Sequence, residues 1–248
     1  MSPDLADFLG SMPAAYAQSF TLTQAAEHVE IVKRRAGGLA HAEVWSARET
    51  AFVCVVADDQ PGLLSLVTDA LLSHDLNIKT AQVYCRRRPD GIYEAVDFFQ
   101  LQRARPSDGD EWIEPAELSS FAQTLCELIA EDRAIARQPR ERDTIPIPGP
   151  KPSRFYFDLD ALKRGEFVLV VQTPDFPGLL FAISSALHGQ RMRILASEAR
   201  TEAGFAIDRF TLESAGNDPM TAERLCDVQQ AVAAAVAAAA PSRPSGGR

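Results

Sequence analysis

Cysteine is scarce in this chain. Its four residues, Cys54, Cys85, Cys126 and Cys226, never form a Cys-x-x-Cys pair. Such scatter excludes a disulfide framework or a cysteine-built zinc site and favours reduced, partly buried thiols of a cytoplasmic protein. Histidine is as thin, with His28, His41, His74 and His188 far apart, so a metal-dependent hydrolase site has too few ligands. Positive charge is in deficit: 25 Lys and Arg against 34 Asp and Glu leave a net charge of −9. That balance argues against nucleic acid or an anionic membrane as partner. One basic run, Arg86-Arg87-Arg88, adjoins Pro89-Asp90-Gly91 and reads as a solvated hairpin tip. No apolar stretch approaches the ~20 residues of a membrane span, and Met1-Ser2-Pro3-Asp4 has no basic leader region.

What the chain does have is a repeated phrase. Asp59-Gln60-Pro61-Gly62-Leu63-Leu64 follows the apolar run 51–56, and Asp175-Phe176-Pro177-Gly178-Leu179-Leu180 follows the run 167–171. Each time a strand-length segment passes through Asp-x-Pro-Gly-Leu-Leu into a helical pattern. Further along, Val96-Asp97-Phe98-Phe99 matches Ile207-Asp208-Arg209-Phe210, and Leu125-Cys126-Glu127-Leu128 matches Leu225-Cys226-Asp227-Val228. One unit has been duplicated, and 248 residues divide into two small domains.

The pattern predicts an N-terminal helical arm over 1–40, with a helix from about Thr23 to Arg35, a first domain over 41–137 and a second over 154–238. Between them 138–153 is proline-rich and reads as an extended linker; 239–248 reads as a disordered tail. Within each unit the order strand–helix–strand–strand–helix is the split βαβ plan, so the fold class is α+β with two ferredoxin-like βαββαβ units. Strand 154–158 is expected to complete the first unit. Residues 41–46 are expected to complete the second sheet or to extend the paired one.

In the repeated phrase, proline suits a helix start and glycine permits close approach of a ligand. Unpaired amides at that start form a small anion receptor, and the aspartate can either cap the helix or hold an ammonium group. The tandem pattern resembles a pair of ACT domains. More closely it resembles the C-terminal region of the bifunctional uridylyltransferase/uridylyl-removing enzymes that modify the PII nitrogen-signalling protein. The residues that carry the likeness are the Pro-Gly-Leu-Leu phrases, Met12 to Tyr16, the helix containing His28, Val96 to Phe99, and Phe155-Tyr156-Phe157-Asp158.

The resemblance implies ligand sites at the strand–helix loop and at the head of the second strand, usually across a domain pair. Its matching positions are Asp59, Gln60, Gly62, Leu63 and Asn77 in the first unit, and Asp175, Phe176, Gly178, Leu179 and Arg193 in the second. Arg193 stands where asparagine is expected, so the second site is the suspect one. The expected function is a non-catalytic, cytoplasmic sensor of a free amino acid, glutamine first, that needs no cofactor and signals to a protein partner. A homodimer is one arrangement that the pattern allows. Two alternatives stand beside it: a ligand-free ACT docking module, and uridylyltransferase-type activity by similarity alone.

Overall fold

The computed structural model describes residues 2–45, 52–103, 113–132, 153–216 and 218–240. The expected proline-rich linker and C-terminal tail lie almost wholly outside these residues.

Three helices open the chain. In α1 (Pro3–Ser11) the Ser2 hydroxyl accepts the Leu5 amide and proline fills the first turn. A short α2 (Ala14–Ser19) follows. Then α3 (Leu22–Arg34) starts from a capping box in which Thr21 and Gln24 satisfy each other's amides. All three lie within the expected helical arm, of which the sequence pattern delimited only α3.

The first half then runs β1 (Ala40–Val44), β2 (Phe52–Asp58), α4 (Leu63–Ser73), β3 (Leu76–Arg87), β4 (Tyr93–Arg103) and α5 (Pro115–Asp132). The second half repeats it with β5 (Arg154–Phe157), a short α6 (Leu159–Lys163), β6 (Phe167–Pro174), α7 (Leu179–Gly189), β7 (Met192–Glu202), β8 (Phe205–Ser214) and α8 (Ala222–Ala239). All eight strands form one antiparallel sheet in the order β1-β2-β4-β3-β7-β8-β6-β5. The halves meet edge to edge, with Thr80–Tyr84 of β3 paired to Arg200–Ala196 of β7.

One strand assignment needs correction, and an open alternative is settled. The strand at 154–157 does not complete the first unit but pairs with β6, Phe155 opposite Val171. Likewise β1 pairs with β2, Ala42 opposite Val55, so it extends the paired sheet and does not complete the second half. Each half takes its outer strand from the residues just before it, because sequential strands with short connections pair most readily. Among the described residues no strand is exchanged between halves.

One face of the sheet carries α4, α5, α7 and α8 over a continuous core that includes Leu71, Phe99, Phe121, Leu169, Ile183 and Phe210. On the opposite face, α1–α3 cover the first half, burying Tyr16, His28 and Trp45 against Cys54, Val56, Tyr84 and Phe98. The N-terminal helices are therefore a packed layer and not a free arm. The cause is local: the outward positions of β2 and β4 are apolar and require cover. Among the matching positions of the second half is exposed Arg209, paired with exposed Glu198 of β7, and α6 suffices to cover Val168 and Val170.

Where α3 ends, Arg35 is sealed in. It donates to Glu94 at 3.0 Å and to Asp58 at 2.8 Å, while Arg86 takes the second Glu94 oxygen at 2.6 Å. Arg88 reaches Asp58 and Asp90. The basic run is thus no solvated tip: two of its three arginines belong to this network, and Arg87 lies over the Tyr93 ring.

Candidate functional site

The repeated phrase folds identically in both halves. Gln60-Pro61-Gly62-Leu63 makes a turn closed by the Leu63 amide on the Gln60 carbonyl, with Gly62 at φ 87°, ψ 0°. Phe176-Pro177-Gly178-Leu179 repeats it, with Gly178 at φ 92°, ψ 3°. These are type II turns, which take proline second and need a residue of positive φ third. Glycine, not aspartate, stands at the N-cap, and no side chain caps either helix. The expected capping role of Asp59 and Asp175 is not observed. Asp59 accepts the Cys85 thiol at 3.2 Å, and Asp175 accepts the Thr201 hydroxyl at 2.9 Å.

Behind each loop aspartate lies a second one from the neighbouring strand. Asp97 on β4 is buried and accepts the Tyr84 amide; Asp208 on β8 is buried and accepts the Arg200 amide. Burial raises all four carboxyls, and Asp59 and Asp175 each push their inner partner further. Asp208 is raised to about 8, so it holds its proton at neutral pH. Asp97 is also held well above the usual range. Sequence reasoning noticed the repeated aspartate but gave it no role. Its position on a strand facing the helix layer was the available signal.

Each turn opens into a cleft. The two are alike in size, about 470 Å³ at the first loop and about 430 Å³ at the second with the solvent at their mouths included. The expected partners are exchanged between them. Asn77 does not join Asp59; it lines the second cleft beside Asp175, Phe176 and Gly178. Arg193 lines the first, beside Asp59, Gln60, Gly62 and Leu63. The reason is topological. A strand–helix–strand crossover makes β2 and β3 parallel, so the head of β3 lies at the far end of its own half from the loop after β2. Antiparallel pairing of β3 with β7 then brings each strand head to the other half's loop. Leu179 also lines the second cleft.

In the first cleft Arg193 is held in place. Its Nε lies 3.8 Å from Asp59, its Nη1 3.4 Å from Glu213, and its guanidinium stacks 4.5 Å from the Tyr93 ring centre. His188 closes over Gly62, where an added Cβ would stand 3.2 Å from the imidazole Cγ. In the second cleft Leu72 takes the place of His188, 3.5 Å from a Cβ on Gly178. Among the described residues no group of three His, Cys, Asp or Glu could hold a metal, and no helix is long and apolar enough to cross a membrane.

No family model matches the chain. It is similar to the bifunctional uridylyltransferase/uridylyl-removing enzyme of Rhodospirillum rubrum, 26% identical over 92% of this chain and 25% of that protein. The enzymes of the same name from Phenylobacterium zucineum and Streptomyces coelicolor are 26% and 25% identical, over 86% and 70% of this chain and 22% and 21% of theirs. A solved structure, an unknown protein from Galdieria sulphuraria, is 17% identical over 76% of this chain and 89% of that one, but its TM-score of 0.19 carries no argument. The chain thus spans about a quarter or less of the curated relatives that it matches.

Proposed function

We propose that this chain is a regulatory segment that binds a free amino acid between two ACT-like halves and passes the occupancy to a protein partner, without a catalytic centre of its own. The observation that carries the reading is the meeting, in one cleft, of a helix start and buried aspartate from one half with an asparagine amide from the other. The amides opening α7 suit a carboxylate, the aspartates suit an ammonium group, and Asn77 can both donate and accept. We take glutamine as the first candidate and nitrogen metabolism as the first setting, in keeping with the distant similarity to the uridylyltransferase/uridylyl-removing enzymes. The continuous sheet gives a bound ligand contacts with both halves, and the packed α1–α3 layer is the natural route to a partner.

The test is a thermal-shift titration with the twenty amino acids. Selective stabilisation, rising with concentration as binding to the folded state requires, supports sensing. Stabilisation by none removes it and leaves the docking module. Incubation with a PII-type protein and UTP checks the remaining alternative; uridylyl transfer by this chain alone would contradict a non-catalytic role.

A further inference from the structure

The structure assigns ligand binding to the second cleft alone: Arg193 occupies the first as an internal stand-in for the ligand's cationic group, and the Asp175–Asp208 pair receives the ammonium group of one uncharged amino acid per chain. This rests on the amino-acid reading and deepens it.

The two strand heads are equivalent, Leu76-Asn77-Ile78 and Met192-Arg193-Ile194, each followed by the same register shift against its hairpin partner. Arg193 therefore stands in the first cleft where Asn77 stands in the second. There it offers Asp59 a guanidinium and lies over Tyr93, a resident cation in front of a buried carboxyl pair. The second cleft has the same pair, Asp175 and Asp208, and among the described residues no lysine or arginine lies within ion-pair distance of either. Its nearest cations leave them free: Arg200 turns its Nε to Glu202 at 3.3 Å, and Lys79 lines the rim. One cleft thus displays the charge that the other lacks. Phe176, Leu72 and Ile78 give the second cleft an apolar wall, which suits an uncharged side chain. The groups that face Asp208 are Asp175 from the loop, Lys79 from β3 and Arg200 from β7.

Asp208 holds a proton when the cleft is empty. An arriving ammonium favours its carboxylate, so binding releases that proton to solvent. Calorimetric titration of the full chain with L-glutamine at pH 7, in two buffers of unlike ionisation enthalpy, reads both stoichiometry and proton release. One equivalent and about one proton released are expected. Glutaramic acid, which is glutamine without its α-amino group, should bind about ten- to hundredfold more weakly and release no proton. Asp208→Asn should weaken glutamine by a similar factor and abolish the release. The double variant Arg193→Asn, His188→Leu, which recasts the first cleft in the image of the second, should bind two equivalents.

Two equivalents in the unaltered chain, undiminished binding of glutaramic acid, or one equivalent in the double variant would each overturn this assignment while leaving amino-acid sensing intact. No binding of glutamine by any form would overturn both.

Discussion

The two clefts share a turn, a helix start and a pair of carboxyls of which the inner is buried, yet differ in most of the side chains that face their openings. Gln60, Cys85, His188 and Arg193 surround the first; Phe176, Thr201, Leu72 and Asn77 hold the corresponding places in the second. Duplication preserved what the backbone needs and left the lining to diverge. The first cleft is filled from within by charge, whereas the second is apolar at its wall and acidic at its floor. The faces behind them diverge as well. Behind the first half lies an aromatic layer under three helices, in which His28 meets Tyr16 at 2.6 Å and burial lowers the imidazole to about 3. Behind the second half lie exposed charges and one short helix.

The sharpest way to break this comparison is through Arg35, whose network ties the three-helix layer to the first half. Its side chain is 5% exposed and that of Glu94 3%. Removing one partner of an isolated buried pair costs about 3–5 kcal/mol; here Arg86 still holds Glu94 and Arg88 still holds Asp58, so the loss is smaller. Arg35→Ala should lower stability in urea unfolding by about 1.5–3 kcal/mol, the measure of a hydrogen bond to a charged group. Arg209→Ala, which removes an exposed partner of Asp158 from the second half, should leave the midpoint nearly unchanged. Equal losses would mean that the halves are held in the same way.

The turn glycines give the next effect. A side chain in the left-handed region costs about 1–2 kcal/mol at either position. At Gly62 it must also displace His188, met at 3.2 Å, whereas at Gly178 it meets Leu72 at ordinary contact distance, 3.5 Å. Gly62→Ala should therefore destabilise more than Gly178→Ala in thermal unfolding. Equal shifts would show that the imidazole yields freely.

Much of this architecture was legible in the sequence, and the misreadings have definite causes. The repeated phrase located both buried strands and both following helices, because an apolar run and a Pro-Gly turn are local signals. The pairing of strand edges is not local. Phe155 to Phe157 could pair with either half, and only the short connection to β6 decided the matter. The exchange of Asn77 and Arg193 was implicit in the split βαβ plan, whose crossover parts a strand head from its own loop. Reading each unit as a closed site concealed it. The packing of α1–α3 as a layer was not foreseen for another reason: the helical arm was expected, but the apolar back face that holds it is assembled from separate strands.

Acidity separates the buried carboxyls from ordinary ones. An unperturbed aspartate titrates near 3.9, whereas Asp208 in the folded chain does so at about 8. Between those values the folded state holds a proton that the unfolded chain has released. Stability contributed by the protonated group is thus full below about pH 4 and is lost as pH rises towards 8, by at most about 1.4 kcal/mol per pH unit. Asp208→Asn should flatten that decline in urea unfolding between pH 5 and pH 8. Asp97→Asn should act in the same direction, since its carboxyl is raised by burial and by Asp59. A decline unchanged in both variants would place the protons elsewhere.

The smallest effect bears most directly on the difference between the clefts. If Arg193 were a structural strut, its loss would destabilise the fold. Its contacts argue otherwise: the approach to Asp59 is long at 3.8 Å, that to Glu213 is 3.4 Å with Glu213 42% exposed, and the side chain itself is 22% exposed. Ion pairs of that kind contribute about 0–1 kcal/mol and an exposed stacking contact on a ring about 0.5–1 kcal/mol. Arg193→Asn should accordingly shift the urea midpoint by less than about 1 kcal/mol in equivalent stability. It should also leave Asp59 higher, because the cation that lowers it is gone. A large loss of stability would make Arg193 part of the scaffold. A negligible one leaves it as what fills the cleft, facing Asp59 from a place that in the second cleft is taken by Asn77.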